Sequence, residues 1–373
     1  MTLAYIVYFG LLVVLPGCWA LAQRISSTDP AREKLIGGFA VLFTIVLFTA
    51  VIGGRYYVGG DYIGYIYYYN TTSTYDTPSN VVFEPGFFYV IQLLKLFDAS
   101  DRSLIVASSF LQILFFSYWL SKKGPFAPFV VFFFITIVLL DVNNAIRQGI
   151  AIFAILIALD AINEKKALKF LLWLAAAYLF HRSALIVLPL GIVLWRVHVP
   201  KIAFQMTGLI ASYALVGLFL DSVISLFSAL SPVFGYEGYA DVRRLDLTFG
   251  GGQASLNVGR YLWPVVDTVI ILYSKKLARE YDAFGYRLYH VMFLVAAVLQ
   301  PVALAWDFLP FARALFYFTA MRMVCLGFLA RFCIIDSKRP RDMVLGMGVC
   351  LVFLLWLLVA VSRGAAASAP YRF

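Results

Sequence analysis

Residues 167–197 read ALKFLLWLAAAYLFHRSALIVLPLGIVLWRV. Two apolar runs of about 14 and 15 residues flank the polar triplet His181-Arg182-Ser183. At 1.5 Å of rise per residue, each run gives roughly 21–22 Å of helix, short of the ~30 Å of hydrocarbon in a bilayer. Lys165, Lys166 and Lys169 stand at the start of the first run, and Arg196 and Lys201 close the second. Loops rich in Lys and Arg stay on the cytoplasmic side. Both outer ends of the stretch therefore lie inside, and the polar turn lies shallow in the outer half of the membrane. Backbone that bends at that depth must be buried in protein or line a wet cavity. The pattern predicts a broken, re-entrant helix pair over 167–197 in an all-α integral membrane protein. Helices broken in this way often carry binding sites.

The rest of the chain agrees. Of its 373 residues, 62% are hydrophobic and only 13% charged, about half the charge of a water-soluble domain. Apolar runs fall near 2–22, 35–54, 103–120, 126–141, 145–162, 167–180, 183–197, 203–221, 261–274, 284–306, 311–333 and 342–361, about 12 transmembrane helices. Loops 23–34, 121–125, 163–166, 198–202, 275–283 and 334–341 hold the basic clusters and belong inside. Loops 55–102, 141–144, 222–260 and 307–310 are poorer in base for their length and belong outside. This assignment puts both termini outside a membrane crossed many times. It reads 1–373 as a single polytopic domain, with 222–260 as a large periplasmic loop. Residues 83–97 are apolar but too short to cross; with Pro85 at the start, they predict an interfacial helix on the outer side.

The net charge of +10 does not point to nucleic acid, because the basic residues are spread over short cytoplasmic loops. The four cysteines lie in apolar runs and show neither a disulfide framework nor metal-ligand spacing. The first run, Leu3 to Leu21, ends in a signal-like Ala-Leu-Ala. No Lys or Arg precedes it and Arg24 follows it, so it reads as an uncleaved first span.

Charge near hydrocarbon is costly and needs a reason. The arginines with the strongest claim are Arg147, Arg182, Arg260, Arg313 and Arg322, all but the last at the outer ends of spans. Guanidinium groups facing one cavity suit a diphosphate, since each offers fixed, bidentate donors. A helix start at Asn144 would add backbone donors. The bland alternatives are snorkelling at the helix ends and, for Arg322, a buried ion pair. His181 is the one histidine at the membrane-depth turn, and a neutral imidazole there can take a proton from a hydroxyl nucleophile. It could equally satisfy polar groups of the turn. In the first outer loop, Asp61, Tyr65 and Glu84 are of the types that hold sugars; the competing reading of the tyrosines is an interfacial aromatic belt.

Five pieces carry a resemblance: Gly-Gly-Asp-Tyr-Ile-Gly-Tyr (59–65), Phe-Glu-Pro-Gly-Phe (83–87), Asn-Ala-Ile-Arg-Gln-Gly-Ile-Ala (144–151), Phe-His-Arg-Ser-Ala-Leu-Ile (180–186) and Arg-Ala-Leu-Phe-Tyr-Phe (313–318). In this order they resemble the EpsG family of Wzy-type polysaccharide polymerases. The stretch 198–260 matches weakly. The resemblance implies a membrane glycosyltransferase that joins undecaprenyl-diphosphate-linked oligosaccharide units at the periplasmic face. It implies no cofactor and no nucleotide sugar, and a flippase and a chain-length regulator of the same pathway as partners. On that chemistry, His181 serves as base, Arg147, Arg182, Arg260, Arg313 and Arg322 clamp the diphosphate, and Asp61, Glu84, Tyr65 and Asn144 orient the acceptor. A lone histidine without a carboxylate or cysteine cluster speaks against a metal. Three rivals stand beside this reading: a glycosyltransferase using polyprenyl-linked sugars with Asp61 or Glu84 as base, a non-enzymatic flippase for the same lipid-linked unit, and a membrane acyltransferase with His181 as base, which would need donor access from the cytoplasm.

Overall fold

The computed structural model describes residues 1–25, 30–79, 81, 83–230, 258–306 and 309–373, without the side chains of 25, 30–34, 192, 258–260 and 309. Among the described residues, regular structure is helical and no strand occurs. Among the described residues, nine helices are long and apolar enough to cross a membrane: Thr2–Arg24, Leu35–Gly53, Arg102–Leu120, Gly124–Asn144, Ile146–Asn163, Ile202–Leu230, Tyr286–Trp306, Pro310–Asp336 and Pro340–Ser362. Three of the roughly twelve expected spans are not among them. Two are the short helices of the 167–197 stretch. The third lies in helix Val258–Tyr281, which carries Asp267, Lys275, Lys276 and Arg279 and is too charged along its length.

The sequence expectations for the short segments map onto short helices. Ala167–Phe180 and Val187–Leu194 are joined by a 3₁₀ turn at Arg182–Ile186. The 83–97 segment forms the 12-residue helix Pro85–Leu96, with Phe87, Phe88 and Ile91 buried and Tyr89 and Leu93 exposed. One boundary moves. The run expected to end at 221 continues as helix to Leu230, so residues 222–230 are not loop. Residues 231–257 of that expected loop lie outside the described residues.

The chain divides into two compact units: Met1–Ala158 with Leu168–His181 and Leu326–Phe373, and Leu159–Ala167 with Arg182–Cys325. In the first unit, Thr2–Ile25 packs on Pro30–Phe48 and on Ala127–Phe133, and Arg102–Leu120 packs on Pro30–Phe48. Helix Ile146–Asn163 is mostly apolar, and in this unit its residues Gln148 to Ala158 are buried without exception. That is the mark of a helix surrounded by protein. In the second unit, Ile202–Leu230 packs on Tyr286–Trp306 and Val258–Tyr281, and Tyr286–Trp306 packs on Leu309–Thr319.

A local break sets up the site. Helix Leu139–Asn144 ends at Ala145, whose φ of −91° and ψ of 67° are not helical, and a new helix begins at Ile146. Breaking a helix strands backbone carbonyls. Gln112, buried on the neighbouring helix, donates its Nε2 to the carbonyls of Val142 at 3.1 Å and Ile146 at 2.9 Å. The amide reaches them because residue 149 is glycine: a Cβ there would stand 2.6 Å from Gln112 Nε2. Arg147 is thereby fixed on the first turn after the break.

Candidate functional site

Glu84 is the residue before helix Pro85–Leu96, in extended conformation with φ −69° and ψ 150°. Pro85 occupies the first helical position, where its missing N–H costs nothing. The Glu84 carboxylate is in the place of a capping group but makes no cap hydrogen bond. It turns instead to two partners. Arg147 donates Nη1 to Glu84 Oε2, and Nδ1 of His181 lies 3.6 Å from Glu84 Oε1. Glu84 is buried, while Arg147 and His181 keep part of their side chains accessible.

The surroundings hold this arrangement. Tyr65, Tyr68, Phe83, Phe87 and Ile146 belong to one apolar cluster, with the Tyr65 and Phe83 rings each 5.7 Å from Phe87. The Arg147 guanidinium lies 5.9 Å from the Tyr68 ring centre and 5.8 Å from that of Phe87, within cation–π range. It is also in electrostatic contact with Tyr65. Its Nε is buried without a hydrogen-bond partner among the described residues. His181 ends the last turn of helix Ala167–Phe180, its N–H donating to the Ala177 carbonyl at 2.9 Å. That helix approaches closely because residue 86 is glycine: a Cβ there would stand 2.6 Å from the Leu179 carbonyl oxygen. Pro85 and Gly86 thus bring the carboxylate to the imidazole.

Four of the sequence-predicted site residues, Tyr65, Glu84, Arg147 and His181, meet in this cluster. Two more meet each other, since the Asp61 backbone N–H donates to Asn144 Oδ1 at 2.8 Å. Asn144 thereby fixes the start of helix Tyr62–Thr71, which carries Tyr65. Tyr62, Tyr65 and Tyr69 are buried, so this part of the first loop is a helix that turns these three rings inward.

The other predicted residues belong to the second unit. Arg182 is exposed at the start of the 3₁₀ turn, which packs on helix Leu309–Thr319, the helix of the half-buried Arg313. Ser183 Oγ donates to the Tyr317 hydroxyl at 3.3 Å in the same contact. The Arg260 side chain lies outside the described residues. Arg322 has an internal partner: Nε and Nη2 donate to the two oxygens of Asp267 at 2.8 and 2.7 Å, and Nη1 donates to Gln300 at 3.0 Å. Both charged side chains are fully buried. The geometry is the ion pair weighed for Arg322, with both edges of the fork already turned to protein. Sequence reasoning missed Asp267, although a lone carboxylate in an apolar run is itself a signal. It also missed Arg55, which is buried two residues beyond the span Leu35–Gly53.

Chemically, the first-unit cluster combines a carboxylate, a cation and a partly accessible imidazole. Residues 39–373, which include all three, match the sequence model of the EpsG family. The chain belongs to the EpsG family. Comparison with curated proteins and with solved structures finds no match. Membership of the EpsG family makes the chain a membrane protein of the polysaccharide-polymerase type.

Proposed function

We propose that this EpsG-family protein joins oligosaccharide units carried on undecaprenyl diphosphate at the periplasmic face of the bacterial inner membrane. A hydroxyl of the acceptor sugar attacks the anomeric carbon of the donor chain. The carbon–oxygen bond to the diphosphate breaks, and the electron pair leaves on a phosphate oxygen. The hydroxyl proton passes to His181. So good a leaving group needs no acid, but its developing charge needs cations placed in advance.

The observation that carries this reading is Glu84 placed between Arg147 and His181. A carboxylate facing Nδ1 favours the tautomer with the proton on that nitrogen, leaving the Nε2 lone pair to act as base. It also favours the imidazolium formed when the proton arrives. Arg147 in turn fixes the carboxylate, and the accessible part of its side chain can face a phosphate oxygen. The Glu84 oxygens are already turned to Arg147 and His181, which favours the imidazole over Glu84 for proton transfer. The proposed diphosphate role of Arg182, Arg260 and Arg313 rests on their positions in the sequence. Arg322 is assigned to Asp267 and not to phosphate. A flippase and a chain-length regulator of the same pathway are the proposed partners.

The test is a defined lipid-diphosphate oligosaccharide incubated with pure protein, which should yield a ladder of polymer. Arg147→Lys and Arg313→Lys keep charge but lose the fork, and each should cut polymer strongly at unchanged protein level. Wild-type ladders from both would remove the phosphate role. The topology is tested by cysteine labelling: positions 70 and 373 should react from the periplasm, and 165 and 279 from the cytoplasm.

A further inference from the structure

Tyr57 has a φ of 53°, in the left-handed region that a bulky residue rarely occupies. Its side chain is 51% exposed, so burial in a core does not hold the ring there. Glycine takes such a conformation without a clash, yet the nearest glycines stand two and three positions on, at Gly59 and Gly60. A bulky residue kept in a strained backbone means that the surroundings dictate where its side chain goes, and such positions gather at binding sites.

The surroundings are aromatic and charged. The Tyr57 ring centre lies 4.4 Å from that of Tyr56, edge to face, and 5.4 Å from that of the buried Tyr62. The side chains of Tyr56 and Tyr57 also hydrogen-bond each other. The exposed Arg102 guanidinium lies 5.0 Å from the Tyr56 ring centre and donates Nη2 to the Gly54 carbonyl at 3.2 Å. Asp101, in electrostatic contact with Tyr57, accepts a hydrogen bond on Oδ2 from Nδ2 of the exposed Asn70 at 3.3 Å. The backbone under the rings is fixed. The Tyr56 N–H donates to the Arg372 carbonyl at 2.8 Å, and the Gly59 N–H donates to the Ala367 carbonyl at 3.1 Å. Half-exposed rings edged by a guanidinium, a carboxylate and an amide suit a pyranose. Its C–H face stacks on the negative face of an aromatic ring, and its hydroxyls give to and take from the polar groups.

We propose that Tyr56, Tyr57 and Arg102 form a saccharide platform, a subsite for a pyranose next to the one held at the Glu84–Arg147–His181 cluster. The two places share an element. Tyr62, whose ring packs on Tyr57, and Tyr65, whose ring packs on Phe87 in that cluster, are three residues apart on helix Tyr62–Thr71, about one turn. That the sugar belongs to a lipid-linked unit rests on the proposed function; recognition of a pyranose does not. An interfacial aromatic belt would account for exposed tyrosines. It would not account for a left-handed Tyr57 or for the guanidinium laid over Tyr56.

The probe is the oligosaccharide cut by mild acid from the lipid-linked units of the host cell, titrated into the protein in detergent. Binding is read by magnetisation transfer from protein to the sugar C–H protons and by calorimetry, with unfolding temperature measured on the same samples. Tyr57→Gly removes the ring and relaxes the backbone. It should weaken binding at least about tenfold while the unfolding temperature holds or rises. Tyr57→Phe keeps the ring and should bind nearly as wild type does. No binding by the wild type, equal binding by Tyr57→Gly, or a loss in Tyr57→Gly that comes with a lower unfolding temperature overturns the proposal; a belt predicts the second result and a structural ring the third. His181→Ala should bind the oligosaccharide as wild type does. Wild-type protein that binds it but makes no polymer from the lipid-linked unit would sink the proposed function and leave the platform standing.

Discussion

Oε1 of Glu84 lies 3.6 Å from Nδ1 of His181, and Oε2 of the same carboxylate takes a hydrogen bond from Arg147. One buried acid thus faces a base and a cation at once. Glu84→Gln keeps the shape and removes the charge. Polymer yield should fall at least about tenfold, less than the 10²–10⁴ that a positioned base contributes, with protein level unchanged. A nearby carboxylate favours imidazolium, so without it neutral imidazole persists to lower pH. The acid limb of the residual activity should therefore move to lower pH. An unmoved limb would mean that Glu84 acts only through packing.

His181→Ala and His181→Gln should reach the membrane and bind lipid-linked substrate, yet make polymer roughly 10²–10⁴-fold more slowly. In the wild type, activity should fall in acid, because imidazolium has no lone pair to accept a proton. Gln keeps hydrogen-bonding capacity. Near wild-type ladders from His181→Gln would leave the histidine as a turn residue and pass the base role to Asp61.

How much of this could be read from sequence differs residue by residue. Membrane class and the short helices around His181 follow from run length and from where lysine and arginine fall. The pairing of Glu84 with His181 does not, because the two are almost a hundred positions apart and meet only where Gly86 lets two helices touch. Helix Tyr62–Thr71 was hidden by its composition: a polar, tyrosine-rich loop carries little hydrophobic periodicity. Arg55 was read as the first residue of a loop, since nothing local tells a snorkelling arginine from one folded back under Asn143. Arg322 was singled out correctly as a costly charge, but its partner Asp267 lies 55 positions away on another helix.

Gly86→Ala tests the contact that places the site. The added Cβ would stand 2.6 Å from the Leu179 carbonyl, a rigid backbone atom, so the helices must part. Overpacking of this kind costs about 1–3 kcal/mol. Unfolding temperature in detergent should drop, and polymerisation should drop further than in Gly10→Ala, where a Cβ meets nothing within 4 Å. Full activity in Gly86→Ala would show that the Glu84–His181 distance is not critical.

The buried pair of Arg322 and Asp267 separates a structural arginine from a phosphate ligand. Removing one partner strands the other as an uncompensated buried charge, which costs about 3–5 kcal/mol, whereas replacing both with apolar residues of similar size is often neutral. Asp267→Leu and Arg322→Met alone should each lower the unfolding temperature sharply. The double variant should recover most of that loss. If the pair is structural, the double variant should also recover polymerisation, because no phosphate contact has been taken away. If Arg322 exchanges Asp267 for the diphosphate during turnover, the double variant will be stable and inactive. Measuring unfolding temperature and ladder formation on the same four proteins decides between them; we expect recovery of both, since both edges of the Arg322 fork are committed to Asp267 and Gln300.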